Sequence, residues 1–262
     1  MTPLRKAYRA QVKSKVWSVL KSAGFTDFTD TAAWRRGERF IDCIQFETLP
    51  QAHFGFSNEI GEGLDASEVT FHLIVATYYL DVHLLPWVDP TPPQRPWPTS
   101  GKQACHRWIY LAASTTPAQR MAETTFWVAP NGSNLDSVVD DAASAIKNRG
   151  LAWLDWAHDV ESYLAGQDIP AWHDFSTDFG EAGGDVLYGL LVGSGRGEQA
   201  IEAIEKDADP SKEIARYEQY IREFPQEKRS LTSQHKHMLK MLDHLRAKAQ
   251  ILREHLASSP PA

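Results

Sequence analysis

The stretch Phe40–Phe46 constrains the fold more than any other part of this sequence. Successive side chains of a strand point to opposite faces. Here Phe40, Asp42, Ile44 and Phe46 share one face, and Ile41, Cys43 and Gln45 share the other. Both faces are mainly apolar, so the segment reads as a central strand that needs cover on both sides.

The neighbouring sequence supplies partners for that strand. Residues 4–23 have helical periodicity, with Val12, Val16, Trp17 and Leu20 on one face and Lys13, Lys15 and Lys21 elsewhere. Gly24 stands where a left-handed C-terminal cap belongs, and Phe25 can fold back on the last turn. Thr31–Arg36 reads as a strand, followed by a turn at Arg36-Gly37-Glu38. Ala52–Ile60 reads as a further strand after Pro50. Val69–Leu85 is too long for one plain strand and predicts a bend near Ala76–Tyr79. Because a membrane span needs about 20 nearly uncharged residues, the His72, Asp81 and His83 of this apolar run make it a buried strand. Pro86–Pro98, with six prolines in 13 residues, predicts a stiff extended loop holding Trp87 and Trp97. His106–Leu111 and Thr124–Val128 complete the strand signal.

After Asn131-Gly132 the pattern turns helical. Helices are expected over Leu135–Asn148, capped by Gly150, and over Leu151–Leu164, followed by a Gly-rich loop and several shorter helices. In the last segment Met238, Leu242, Leu245, Ala249, Leu252 and Leu256 step by four and three, an a/d seam. That seam can dock along its own chain or support self-association through Leu231–Leu256. The expected architecture is α+β: a domain over 1–130 with a helix and an antiparallel sheet, then a helical region over 131–262 packed on or beside the sheet and ending in a long helix.

A helix ending Leu20-Lys21-x-x-Gly24-Phe25, the pair Trp34-Arg35, the strand end Ile44-Gln45-Phe46 and then Phe54-Gly55-Phe56 resemble domain-of-unknown-function family 4304 over roughly residues 8–128. The resemblance implies a mainly bacterial protein with this helix-and-sheet fold. It implies no activity and no catalytic residues, because the family has none assigned.

The residues themselves carry no strong catalytic signature. Gly193-Ser-Gly195-Arg-Gly197 lacks the G-x-G-x-x-G spacing and the βαβ setting of a dinucleotide site, and reads as a linker between helices. His235 and His237 fall on opposed sides of a helix, and His237 lies too far along the axis from His244 to share a metal. Asp155 and Asp159, like Asp140 and Asp141, read as a solvated helix face. Cys43 and Cys105 belong to no metal or redox motif and read as buried free thiols. No metal site and no cofactor is expected. The binding candidates are the polar and aromatic residues standing in apolar strands, namely Trp34, Arg35, Gln45, Asn58 and His72. If their faces align they form one patch on the sheet.

Charge narrows the partners. The chain has a net charge of −7, so no general attraction for nucleic acid is expected. Residues 1–39 hold nine Lys/Arg against three Asp/Glu, and residues 131–262 hold 14 against 22. With no apolar leader at the start, the reading is a cytoplasmic, non-enzymatic binding protein. In its immunity-like form, an acidic surface on the helical half masks a basic protein partner. The other reading is a small-molecule enzyme using a cleft between sheet and helices.

Overall fold

The computed structural model describes residues 1–49, 67–98, 105–113, 124–161, 184–225 and 228–258. The chain forms two compact units, Met1–Leu80 with Pro93–Ala182, and Asp81–Pro92 with Gly183–Ala262. The fold is α+β, with helix first, antiparallel sheet next and a helical half that ends in a long helix. The expected division at residue 130 is not the one observed. The helices that follow Asn134 share a hydrophobic core with the sheet, so they belong to the first unit.

The first unit begins with α1 (Pro3–Gln11), a π turn (Val12–Val16) and α2 (Trp17–Ser22). Thr2 caps the start by accepting a hydrogen bond from the Arg5 amide, with Pro3 just inside the helix. Tyr8, Val12, Val16 and Leu20 are all buried. Residues four apart drift by about 40° per step on an ideal α-helix of 3.6 residues per turn. The wider π turn takes up that drift and keeps all four on the sheet. Gly24 has φ +84°, as the cap expectation requires, and the Phe25 amide bonds back to the Leu20 carbonyl.

Six strands follow: β1 (Asp27–Phe28), β2 (Ala32–Arg36), β3 (Phe40–Thr48), β4 (Phe71–Tyr79), β5 (Arg107–Tyr110) and β6 (Thr125–Phe126). The sheet order is β1-β2-β3-β4-β5, and β6 also pairs with β4. β3 and β4 align over nine residues each, from Phe40↔Tyr79 to Thr48↔Phe71. In place of the bend predicted near Ala76–Tyr79 the strand ends at Tyr79, and a 3-10 turn takes over at Leu80–Leu84. The strand predicted over Ala52–Ile60 lies outside the described residues.

One face of the sheet is covered by α1, α2, α3 (Leu135–Ala145) and α4 (Leu151–His158), which bury Ile44, Phe46, Leu73, Val75, Ile109 and Phe126. Gly150 was expected to end a helix. Instead a second π turn (Ile146–Gly150) runs straight into α4, with Gly150 at φ −61°. A Cβ there would lie 3.1 Å from Leu111 and 3.2 Å from Val75, so glycine lets the helix approach the sheet closely.

In the second unit, α5 (Asp185–Gly193) and α6 (Gly197–Asp207) are joined by a tight turn with Gly195 at φ +72°. α7 (Ser211–Glu223) and α8 (Lys228–Ser258) follow. The seam of α8 docks on its own chain: Leu242, Ala249 and Leu252 are buried, with α8 packed on α6 and α7. The Lys248 ammonium reaches both Asp185 oxygens at 2.8 and 3.0 Å and lies over Trp87, whose indole N–H donates to Asp185. This pins the strap Asp81–Pro92 to α5 and α8.

Two consequences can be measured. Tyr8 is 3% exposed and its hydroxyl has no hydrogen-bond partner among the described residues. Tyr8→Phe is expected to hold or raise stability, by up to about 1 kcal/mol in denaturant unfolding. Burial also pushes the Tyr8 phenol well above its ordinary value. Its contribution is therefore complete below about pH 10 and is lost above, where the unfolded chain ionises first. The variant should lose less stability than the native protein at alkaline pH. In the second unit a Cβ on Gly189 would lie 2.7 Å from the Val82 backbone, which no side-chain rotation relieves. Gly189→Ala is expected to lower stability by about 1–3 kcal/mol in the same measurement.

Candidate functional site

The pairing register sorts the predicted site residues onto two faces. On the face opposite the helices, cross-strand neighbours form three rungs: Trp34·Cys43·Ala76·Trp108, Ala32·Gln45·Ile74·Tyr110 and Glu47·His72·Thr125. Trp34, Gln45 and His72 therefore share a face, as the alternation of their strands requires. Arg35 does not. It lies on the helix-covered face in the rung Arg35·Asp42·Thr77·Arg107. Asn58 lies outside the described residues.

The Arg35 rung holds a buried charge. Asp42 is fully buried, and its Oδ2 accepts from Arg35 Nε at 2.9 Å and lies 2.7 Å from Arg35 Nη2. Its Oδ1 is 2.7 Å from His158 Nε2, at the last residue of α4. Arg35 also donates to the Ala23 carbonyl and lies over the Phe25 ring, while the His158 ring stacks on Phe40 at 3.4 Å. These contacts tie the end of α2, two strands and the end of α4 to one carboxylate. That is a structural role, and it accounts for the arginine without a ligand. Breaking a buried pair leaves an uncompensated charge, so Asp42→Asn is expected to cost about 3 kcal/mol. Denaturant unfolding would show it.

Trp34 is likewise occupied. Its indole N–H donates to the Pro96 carbonyl at 2.8 Å, Trp97 packs edge-on at 5.0 Å and the Arg95 guanidinium lies over its ring. Arg95 itself pairs with Asp27. The proline-rich loop thus closes this end of the face.

The other end is half-exposed. Gln45, Glu47, His72, Trp108 and Tyr110 surround the buried Ile74. His72 Nε2 is 3.2 Å from the Thr125 hydroxyl, and its Nδ1 is 4.0 Å from Glu47. The His72 and Tyr110 rings meet edge-on at 4.9 Å, as do Trp108 and Tyr110 at 5.2 Å. Burial, and then the Glu47 carboxylate, raise the Tyr110 phenol above its ordinary value, so it stays protonated at neutral pH. Glu47 has no Lys or Arg partner among the described residues, and its side chain is 36% exposed. Gln45 Oε1 is buried and accepts no hydrogen bond from the described residues.

Sequence reasoning missed Glu47, Trp108 and Tyr110. Alternation along Phe40–Glu47 places Glu47 on the Gln45 face, but only the register across three strands brings Tyr110 beside it. The carboxylate, imidazole and hydroxyl of Glu47, His72 and Thr125 stand in an order used for nucleophilic catalysis. Thr125 is only 3% exposed, however, so its oxygen is closed to an external substrate. Burial pushes the thiols of Cys43 and Cys105 well up, which keeps them from being thiolates at neutral pH.

A cavity of about 800 Å³ lies elsewhere in this unit, lined by residues that include Thr2, Gln11, Glu68, Asn131 and Asp136. None of the predicted site residues lines it, and both of its carboxylates are engaged, Glu68 by Arg5 and Asp136 by Lys15. Among the described residues no group of three or more His, Cys, Asp or Glu could hold a metal ion. No helix among them is long and apolar enough to cross a membrane.

Fold and site together define an α+β protein with a half-open polar-aromatic strip on one sheet face. No family model, no curated protein and no solved structure matches the chain.

Proposed function

We propose that this chain is a non-enzymatic, cytoplasmic bacterial binding protein whose partner is a basic protein, in the manner of an immunity protein. Membership of domain-of-unknown-function family 4304 is part of the same proposal and rests on the motifs from Leu20 to Phe56. The observation that carries the reading is where the acidic surplus lies. Residues 131–182 hold ten Asp/Glu against two Lys/Arg, while residues 183–262 hold twelve of each. The acidity read for the whole helical half therefore belongs to its first part, whose described residues are in the sheet unit. Asp136 and Asp140 are engaged by Lys15; Asp155 on α4 is solvent-exposed, and so are Asp159 and Glu161 beyond it, which make contacts of their own. Clefts and faces of one sign speed and select oppositely charged partners.

An enzyme of small substrates is the competing reading, and the half-exposed imidazole of His72 on the open face is what favours it. A screen of hydrolase and transferase substrates that found an activity lost in His72→Ala would establish it. For the binding reading, the full chain is immobilised and offered purified basic and acidic proteins at low and high salt. Selective retention of basic proteins is expected, weakened several-fold by Asp155→Lys with Glu161→Lys and by raised ionic strength. No retention, or retention indifferent to salt and to charge reversal, would refute it.

A further inference from the structure

We infer that the open side of the α7–α8 hairpin is a self-complementary interface that takes a second copy of this chain. It is separate from the charge-based reading, because it lies outside the acidic stretch 131–182.

The seam of α8 outruns its cover. Leu242, Ala249 and Leu252 are buried, whereas Met238, on the same seam, is half-exposed. The reason is length. α8 has 31 residues and α6 has 11, and α6 begins at Gly197, against which the Leu256 side chain lies. At equal rise per residue, α6 reaches back along α8 only to about Leu245. Beyond it no described side chain of α8 from Thr232 to Met241 is buried, and none of α7 is. Seven large apolar residues are exposed in the described chain. Five of them, Ile214, Tyr220, Phe224, Met241 and Ile251, belong to α7, to the residue after it or to α8. Apolar surface gathered in this way marks an interaction site.

The patch is built to meet itself. Tyr217 marks its middle, with its hydroxyl 2.9 Å from that of Thr232 and its ring stacked on His235. Tyr220 and Phe224, ring centroids 6.2 Å apart, step from there toward the turn. Met238 and Met241 step the other way, so the two pairs lie roughly 15 Å apart along the hairpin. At about 100° per residue, both pairs turn to the same side of the α7–α8 contact line. A two-fold pairing then sets the aromatic pair of each copy on the methionine pair of the other. Methionine sulfur on aromatic rings is a favourable and adaptable contact. Lys236 and Lys240 each stand two residues from Met238, about 200° round α8, so their charges fall on its far side. Arg216 lies over the Tyr220 ring, so a basic partner is not drawn to this side. Two helices about 20 Å long and about 10 Å apart, paired face to face, remove on the order of 1,000 Å² from water, the lower range of specific interfaces. The dimer is therefore reversible, each hairpin supplying the cover that α6 is too short to give.

Sedimentation equilibrium of the full chain, over a wide concentration range at low and raised salt, tests this. A mass rising from one chain toward two is expected, and salt should not reverse it, since apolar contacts are not screened. Tyr220→Glu and Met241→Glu, both at exposed helical positions, are each expected to weaken association at least about tenfold by placing a charge in the interface. Far-UV circular dichroism would show that each keeps its helices, and if one does not, the other carries the test. Ile251→Glu is the control. Ile251 is 43% exposed against 48% for Met241, but lies about 20 Å beyond Met238 along α8, so no change is expected. A monomer at every concentration would overturn the inference and leave the face to a different protein. A dimer dissociated by salt would overturn it too, and would assign the association to opposite surface charges. So would a dimer that Tyr220→Glu and Met241→Glu leave intact, or that Ile251→Glu weakens as much.

Discussion

Everything in the sheet unit depends on two strands that are apolar on both faces. β3 and β4 pair along nine residues each, and neither tolerates water on either side along most of that length. Ile44, Phe46, Leu73 and Val75 demand the helix layer, while Ile41, Cys43, Ile74 and Ala76 demand cover on the opposite face. The helix layer meets the first demand closely, through two π turns and through Gly150, where a methyl group would crowd Val75 and Leu111. At the Trp34 end the second demand is met by Pro96 and Trp97. At the other end the cover thins, and that is where half-exposed polar and aromatic side chains gather.

The two faces handle charge differently. On the helix face Asp42 is fully buried and fully engaged, by Arg35 from one side and His158 from the other. Such a carboxylate is costly to bury and more costly to leave half-paired, so its partners are fixed by stability. On the open face Glu47 is solvated, and its interaction with His72 is long. A half-exposed carboxylate beside half-exposed aromatic rings still faces solvent. The two acidic residues lie five positions apart on one strand, and strand alternation is what assigns them opposite roles.

Much of this was legible in the residues. The helix over 4–23, its Gly24 cap, the central strand and the α8 seam follow from periodicity and from glycine's tolerance of positive φ. The placement of Gln45 opposite Asp42 in face follows from the same alternation. Arg35 was less legible. Its position beside Trp34 suggested a shared patch, yet neighbouring residues of a strand point in opposite directions, and the buried Asp42 took the arginine. The cap assigned to Gly150 failed for a related reason: glycine serves close packing as well as turns, and only the facing sheet distinguishes the two uses.

The sequence by itself determined the overall order of helix, antiparallel sheet and helical half, that β3 is central, and that the chain is acidic with its surplus in residues 131–182. Local periodicity, backbone preference and formal charge are properties of the chain read in order. The tertiary structure alone decided that the helices after Asn134 join the sheet while those after Gly183 form a unit with Asp81–Pro92. It alone decided that Glu47, His72, Thr125 and Tyr110 are brought together across four strands. Those outcomes depend on pairing register and on which apolar face finds which partner, and both are settled by contacts between residues far apart in sequence.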